Sequence, residues 1–148
     1  AGSALYLPVY KFNVSGKTVS VVPCYGAGLW GPIWGYLAFG EDMNTIEGAV
    51  FDHKGETPGL GAKIADEPWF RAQFPGKSIF EGGNLTSVSI VKGGAKEGDA
   101  HAVDAISGAT ITSQALDVTI KNWLTAYEAY FKAASQPETI EIITNEEE

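Results

Sequence analysis

Apolar side chains recur at helical spacing over the last third of the chain. They fall three or four residues apart after Thr110, which predicts a long helix with one buried stripe. We expect this stripe to pack into the core and assign it no chemistry. Its members are Leu116, Ile120, Trp123, Leu124, Tyr127 and Phe131.

The first half of the chain is rich in β-branched and aromatic residues, a pattern that favours strands. Pro32–Phe39 and Thr45–Asp52 are predicted to form a hairpin around 41–44. Thr18–Val22 is a further strand, and Ala4–Lys11 is a short edge strand, since Pro8 lacks the amide that a central strand requires.

Further elements complete an α+β fold. Asp66–Phe74 is predicted to be a short helix, with Asp66 as N-cap and Pro68 in its first turn. Leu85–Lys92 is predicted to be a strand, followed by a loop over Gly93–Asp99. We therefore expect a mainly antiparallel sheet packed with a short helix and the long C-terminal helix.

The domain is predicted to span residues 1–134, with an acidic tail over 135–148. Two interpretations of the tail stay open: an edge strand through Ile140 to Ile143, or a mobile segment. The formal charge is −8, but five of the 18 acidic residues follow Pro137, leaving 13 against ten basic ones in the body. Because no basic stripe exists, we expect neither nucleic acid nor an anionic membrane surface as a partner.

Composition also limits the kind of site. Cys24 is the only cysteine, which excludes an internal disulfide, and His53 and His101 lack metal-ligand spacing. The 23 positions from Thr18 to Gly40 carry no charge, a length that can span a bilayer. Two prolines and five glycines interrupt that run, so we predict strand, turn and strand instead of a membrane helix.

Glycine-rich segments suggest where a ligand binds. Gly26–Gly31 fits the pattern GxGxxG, but Pro32 and strand-like aromatics follow, so the helix of a dinucleotide fold is not expected. The segment DAISGAT, from Asp104 to Thr110, lies where the long helix begins, and a helix N-terminus suits a phosphate. About fifty residues earlier stands GETPGLGAKI, over 55–64, whose Pro58-Gly59 pair predicts a type II turn.

Taken together, these segments resemble the family of FMN-binding domains. The resemblance runs from about Val19 to Ala134 and includes YGAGLWGPIWGYLAFG, NTIEGAVFDHKGETPGLGAKI, DAISGATITS and NWLTAYEAYF. Within the family the chain is most similar to the C subunit of the bacterial sodium-translocating NADH:quinone reductase. The G subunit of the Rnf electron-transport complex shares the ETPGLG and SGAT elements and is the nearest alternative.

The resemblance implies a cofactor and its site. FMN would be esterified through its phosphate to Thr110, provided that a flavin transferase has acted, and no residue would be catalytic by itself. Residues expected at the phosphate are Ser107 as N-cap, Gly108 and Ala109. Lys92 would either neutralise the phosphate or stabilise a reduced, anionic flavin. Asp104 would cap the turn or orient the attachment site, and in the family this acid serves chiefly for recognition by the transferase. Residues expected around the flavin ring are Tyr25, Trp30, Glu56, Thr57, Leu60 and Gly61.

The same resemblance implies a one-electron carrier that relays electrons among the other subunits of a membrane complex. The domain would lie on the periplasmic side of the bacterial inner membrane, and the family's N-terminal transmembrane anchor would be missing from this chain. A glycine-rich cleft with aromatic walls also suits a redox-inactive module that binds a sugar or peptide. A hydrolase is disfavoured because GxSxG is absent.

Overall fold

A computed structural model describes residues 6–135 and contains a four-stranded antiparallel sheet with its strands in chain order. The strands are β1 (Tyr10–Val14), β2 (Lys17–Ala27), β3 (Pro32–Phe39) and β4 (Ile46–His53). The predicted β3–β4 hairpin is confirmed, and a register irregularity lies between Ala38 and Phe39.

The first two strands differ from the prediction in their bounds. The edge strand is β1, so it begins later than the predicted Ala4–Lys11, of which residues 1–5 lie outside the described part. Instead of pairing in the sheet, the segment before β1 contacts the long helix, since Tyr127 Oη donates to the Pro8 carbonyl at 2.6 Å. Strand β2 continues through Pro23 to Ala27, five residues beyond the predicted end at Val22.

Two short helices replace the single predicted one. They are α1 (Lys63–Asp66) and α2 (Pro68–Arg71), and Asp66 ends α1 instead of capping the helix. Glu67 between them is extended, with φ −101° and ψ 106°. Proline disfavours helical backbone in the residue before it, so Pro68 forces the break at this position.

The region after α2 contains two small sheets. β5 (Phe80–Glu81) and β6 (Asn84–Leu85) form an antiparallel hairpin, while β7 (Ser89–Val91) pairs in parallel with β8 (Ala102–Asp104). The single strand predicted over Leu85–Lys92 was therefore wrong. It is interrupted at Ser87, whose φ of 60° is incompatible with an extended strand.

The long helix α3 (Thr110–Ala134) packs across the inner face of the large sheet. Its predicted stripe is confirmed: five members are fully buried, and Trp123 packs at the edge of the core. The ring centroids of Phe131 and Phe39 lie 5.0 Å apart, which joins the end of α3 to the end of β3. The fold class is α+β, as predicted.

Residues 6–135 include no helix with the length and apolarity needed to cross a bilayer. The segment Thr18–Gly40 instead forms β2, the following turn and β3. The predicted tail over 135–148 falls almost entirely outside the described residues, so the domain boundary stays a prediction.

Candidate functional site

A cleft of about 450 Å³ opens where α3 begins, a volume within the range of small-molecule sites. Three segments form its walls: the β2–β3 turn, the turn after Glu56 and the start of α3. The lining residues are Leu29, Trp30, Thr57, Leu60, Gly61, Gly108, Ala109, Thr110, Ile111 and Thr112.

The entry into α3 differs from the predicted cap. Ala109 is the N-cap residue, with φ −130° and ψ 39°, and the helix has no side-chain cap bond. Ser107 is exposed and precedes Gly108, whose φ of 80° turns the chain into the helix. The N-cap role expected of Ser107 was therefore wrong, because the glycine separates its side chain from the helical amides.

The first turn of α3 presents backbone amides to the cleft. The amide of Ser113 donates to the Ala109 carbonyl at 2.9 Å, so the amides of Thr110, Ile111 and Thr112 precede the first bond of the helical ladder. Such amides, with the positive end of the helix dipole, favour an anion.

The hydroxyl groups near the helix start have different partners. Thr112 Oγ1 is buried and donates to Glu56 Oε1 at 3.2 Å, while Ser113 Oγ accepts from the Ile106 amide at 3.2 Å. Thr110 is half-buried and lines the cleft, and its hydroxyl makes no hydrogen bond within residues 6–135. Thr110 is thus the first-turn hydroxyl of α3 that remains accessible for chemistry.

Glu56 lies beneath the cleft wall and does not line it. Its side chain is 3% exposed, and its carboxylate accepts from the amides of Leu29 (2.7 Å) and Trp30 (2.9 Å). Its own amide donates to His53 Nδ1 at 3.0 Å. The resemblance implied that Glu56 contacts the bound ligand. In the structure its carboxylate instead binds the backbone of the β2–β3 turn.

The turn after Glu56 fits closely against α3. A β-carbon at Gly61 would lie 2.5 Å from Thr112 Oγ1, so only glycine allows this approach. Thr57 and Leu60 are exposed on the cleft side of the same turn, and the Leu60 amide donates to the Thr57 carbonyl at 3.1 Å. The structure thus brings Thr57, Leu60 and Gly61 together with Trp30 and Thr110.

Besides Glu56 and Ser107, three more predicted residues do not line the cleft. Tyr25 borders a neighbouring groove, where its carbonyl accepts from Trp123 Nε1 at 2.7 Å. Lys92 is exposed in the turn after β7. Asp104 ends β8, and its Oδ1 accepts from the Ala95 amide at 2.7 Å, which closes the adjacent loop.

None of the residues that line the cleft within the described chain carries a formal charge. An anionic group bound here would therefore meet amides and hydroxyls instead of a lysine or arginine. Trp30, which is 68% exposed, offers an aromatic face at the cleft rim. Sequence reasoning did not single out Leu29, Ile111 or Thr112 as lining residues, although all three lie within the motifs that carry the resemblance.

The chain is similar in sequence to known proteins. The profile of the FMN-binding domain family matches residues 28–125, from the β2–β3 turn into α3. The C subunit of the Na(+)-translocating NADH-quinone reductase of Vibrio anguillarum is 42% identical over 112 residues, covering 74% of this chain and 44% of the relative. Its counterpart in Haemophilus ducreyi is 38% identical, covering 89% of this chain and 53% of the relative.

Solved structures are similar as well. The crystal structure of the C subunit of the Na(+)-translocating NADH-quinone reductase from Parabacteroides distasonis has a TM-score of 0.81 and 46% identity, covering 88% of this chain and 64% of that one. The crystal structure of NqrC from Shewanella oneidensis has a TM-score of 0.74 and is 41% identical in sequence. The match covers 86% of this chain and 61% of that one. This chain spans about half the length of the curated relatives it matches.

Proposed function

The chain belongs to the family of FMN-binding domains, and on that basis we propose that it carries FMN as a phosphoester of Thr110. We further propose that it is the flavin domain of the C subunit of a sodium-translocating NADH-quinone reductase, as its relatives are named. The observation that carries the attachment site is the Thr110 hydroxyl, which lines the cleft beside the amides of the first turn of α3 and has no partner in the described chain.

The uncharged cleft supports a covalent link over simple binding. A flavin phosphate carries negative charge, and no arginine or lysine lines the cleft to add the stronger, charge-assisted hydrogen bonds that these side chains make. Here the amides of Thr110 to Thr112 and nearby hydroxyl groups are the available donors. Because the cleft is also open at the surface, an ester bond would retain a cofactor that these contacts hold only weakly.

The modification would be a phosphoryl-type transfer from a flavin nucleotide that contains a phosphoanhydride. The Thr110 Oγ–P bond forms as the anhydride P–O bond breaks, and the hydroxyl proton leaves with the departing group. A flavin transferase would supply the catalysis, including the base that accepts the Thr110 hydroxyl proton.

Once attached, FMN supplies one-electron redox chemistry, which the protein tunes and exposes. Trp30 and Leu60 would flank the ring, with exposed fractions of 68% and 46%. Thr57 would offer its hydroxyl to a polar edge of the ring. An exposed ring suits an electron relay among the other subunits of the complex. From the family resemblance we also propose that the domain lies on the periplasmic side of the membrane.

Coexpression with a flavin transferase tests the proposal. After denaturation and precipitation, the pellet should remain yellow, and its intact mass should exceed that of the bare chain by FMN less one water. The same chain made without the transferase should lack this mass increase and serves as the control. A colourless pellet of unchanged mass after coexpression would contradict covalent attachment.

A further inference from the structure

The Glu56 carboxylate joins two walls of the cleft. Oε1 accepts from the Leu29 amide at 2.7 Å and from Thr112 Oγ1 at 3.2 Å, and Oε2 accepts from the Trp30 amide at 2.9 Å. Leu29 and Trp30 belong to the β2–β3 turn, whereas Thr112 belongs to α3. All three partners are donors, which suits a carboxylate because it is an acceptor-only group when ionised.

The surrounding backbone is shaped to admit this carboxylate. A β-carbon at Gly28 would lie 2.0 Å from Glu56 Oε1, so any side chain there would displace the carboxylate. A β-carbon at Gly61 would lie 3.1 Å from Glu56 Cβ and closer still to Thr112. Glycines therefore occupy the two positions where a side chain would disturb the bridge between the walls.

We infer that Glu56 is a positioning residue that sets the distance between Trp30 and the start of α3. It does not line the cleft, so it acts on a bound group through the Leu29–Trp30 turn. The nature of the bound group rests on the function proposed above, but the bridge itself does not depend on a ligand. Two readouts can therefore be separated, one on the protein without flavin and one on the loaded protein.

The first readout is hydrogen exchange in the flavin-free chain. Glu56→Gln keeps the side-chain shape but replaces one acceptor oxygen with an NH₂ group. This group is a donor and faces a backbone amide that also donates, so that hydrogen bond is lost. Exchange of the Leu29 and Trp30 amides should rise about tenfold or more, because a hydrogen bond to a charged group is lost. Asp117→Asn is the matched control, since Asp117 Oδ2 accepts from the Ile90 amide at 2.7 Å, outside the cleft.

The second readout is the visible circular dichroism of the loaded chain, together with quenching of tryptophan emission by flavin. Glu56→Gln should change both while the FMN ester still forms, as checked by intact mass. Asp117→Asn should change neither. Loss of the ester in every protein, the unsubstituted chain included, would count against the proposed function and not against the bridge.

The inference is overturned if Glu56→Gln leaves exchange at Leu29 and Trp30 unchanged, or if Asp117→Asn raises it equally. If Glu56→Gln does not fold, Thr112→Val removes one donor and leaves both backbone bonds to Glu56. A smaller rise in exchange confined to the Leu29–Trp30 turn would then support the bridge. Unchanged exchange in that variant would refute it.

Discussion

Single residues in this molecule follow the chemistry of their immediate surroundings more than the motif that contains them. Glu56 and Thr57 are adjacent in the sequence, yet Glu56 is 3% exposed and bonded to the β2–β3 turn while Thr57 faces the cleft. Likewise, Thr110 is accessible while Thr112 donates to Glu56. Residue type and position suggested a site here, but the division of roles depends on contacts between distant segments.

Cys24 provides a test at this scale, because it is the only thiol in the chain. Burial raises the pKa of Cys24 to about 12, although a hydrogen bond with the Gly35 backbone acts in the opposite direction. The thiolate is the reactive form, so the folded protein should react very slowly with Ellman's reagent at pH 8. The same protein in guanidinium chloride should release one equivalent of thionitrobenzoate promptly. Rapid, complete reaction of the folded protein would contradict the buried position.

At the scale of elements, the sequence predicted the long helix and the hairpin well, because their local patterns are strong. It did not predict the pairing of short strands that lie far apart in the chain. The stripe of α3 shows a helical repeat that reports one buried face, and the β3–β4 hairpin combines β-branched and aromatic arms with a polar turn. β8 contains three residues and pairs in parallel with β7, so it has too few positions to display a period. Its partner depends on the tertiary fold, which a local pattern does not contain.

The ends of elements were also difficult to predict, for a physical reason visible at two positions. Glu67 separates α1 from α2 because Pro68 follows it, and Ala109 caps α3 because Gly108 redirects the chain after Ser107. In both cases the backbone geometry of one residue decides the boundary. Capping preferences for Asp66 and Ser107 indicated positions one or two residues too early.

The β2–β3 turn permits a matched pair of glycine substitutions. A β-carbon at Gly28 would lie 2.0 Å from Glu56 Oε1 and 2.7 Å from Ile33 Cγ2, whereas one at Gly31 would meet open space. Gly28→Ala should lower the free energy of unfolding by about 1–3 kcal/mol, the usual cost of overpacking. Gly31→Ala should change it by about 0.5 kcal/mol or less. Urea denaturation measures both, and equal effects would show that the turn tolerates a side chain at Gly28.

At the scale of the whole molecule, packing of α3 on the sheet creates the cleft. A β-carbon at Gly26 would lie 2.0 Å from Thr119 Oγ1, so a glycine in β2 allows the helix to approach closely. This approach brings the start of α3 to the end of the sheet where β2 turns into β3. The cleft thus arises where segments far apart in the sequence meet, which explains why sequence analysis located its parts through a family resemblance.

The predicted boundary between domain and tail leads to a truncation experiment. All core side chains of the described part lie between Leu7 and Phe131, and α3 ends with the Ser135 amide donating to the Phe131 carbonyl at 3.0 Å. Removing residues 137–148 should therefore change the free energy of unfolding by about 0.5 kcal/mol or less. Urea denaturation of the two chains provides the measurement. A clear loss of stability would mean that the removed residues contribute to the core.

The most direct test of the central claim is the identity of the modified hydroxyl. Thr110→Ala and the control Ser107→Ala should each be coexpressed with the flavin transferase and compared with the unsubstituted chain by intact mass. Both variants should fold, since one hydroxyl at a partly exposed site contributes at most about 1 kcal/mol. Attachment at Thr110 predicts the FMN adduct on the unsubstituted chain and on Ser107→Ala, and none on Thr110→Ala. An adduct that persists in Thr110→Ala, or that peptide mapping assigns to another hydroxyl, would contradict it.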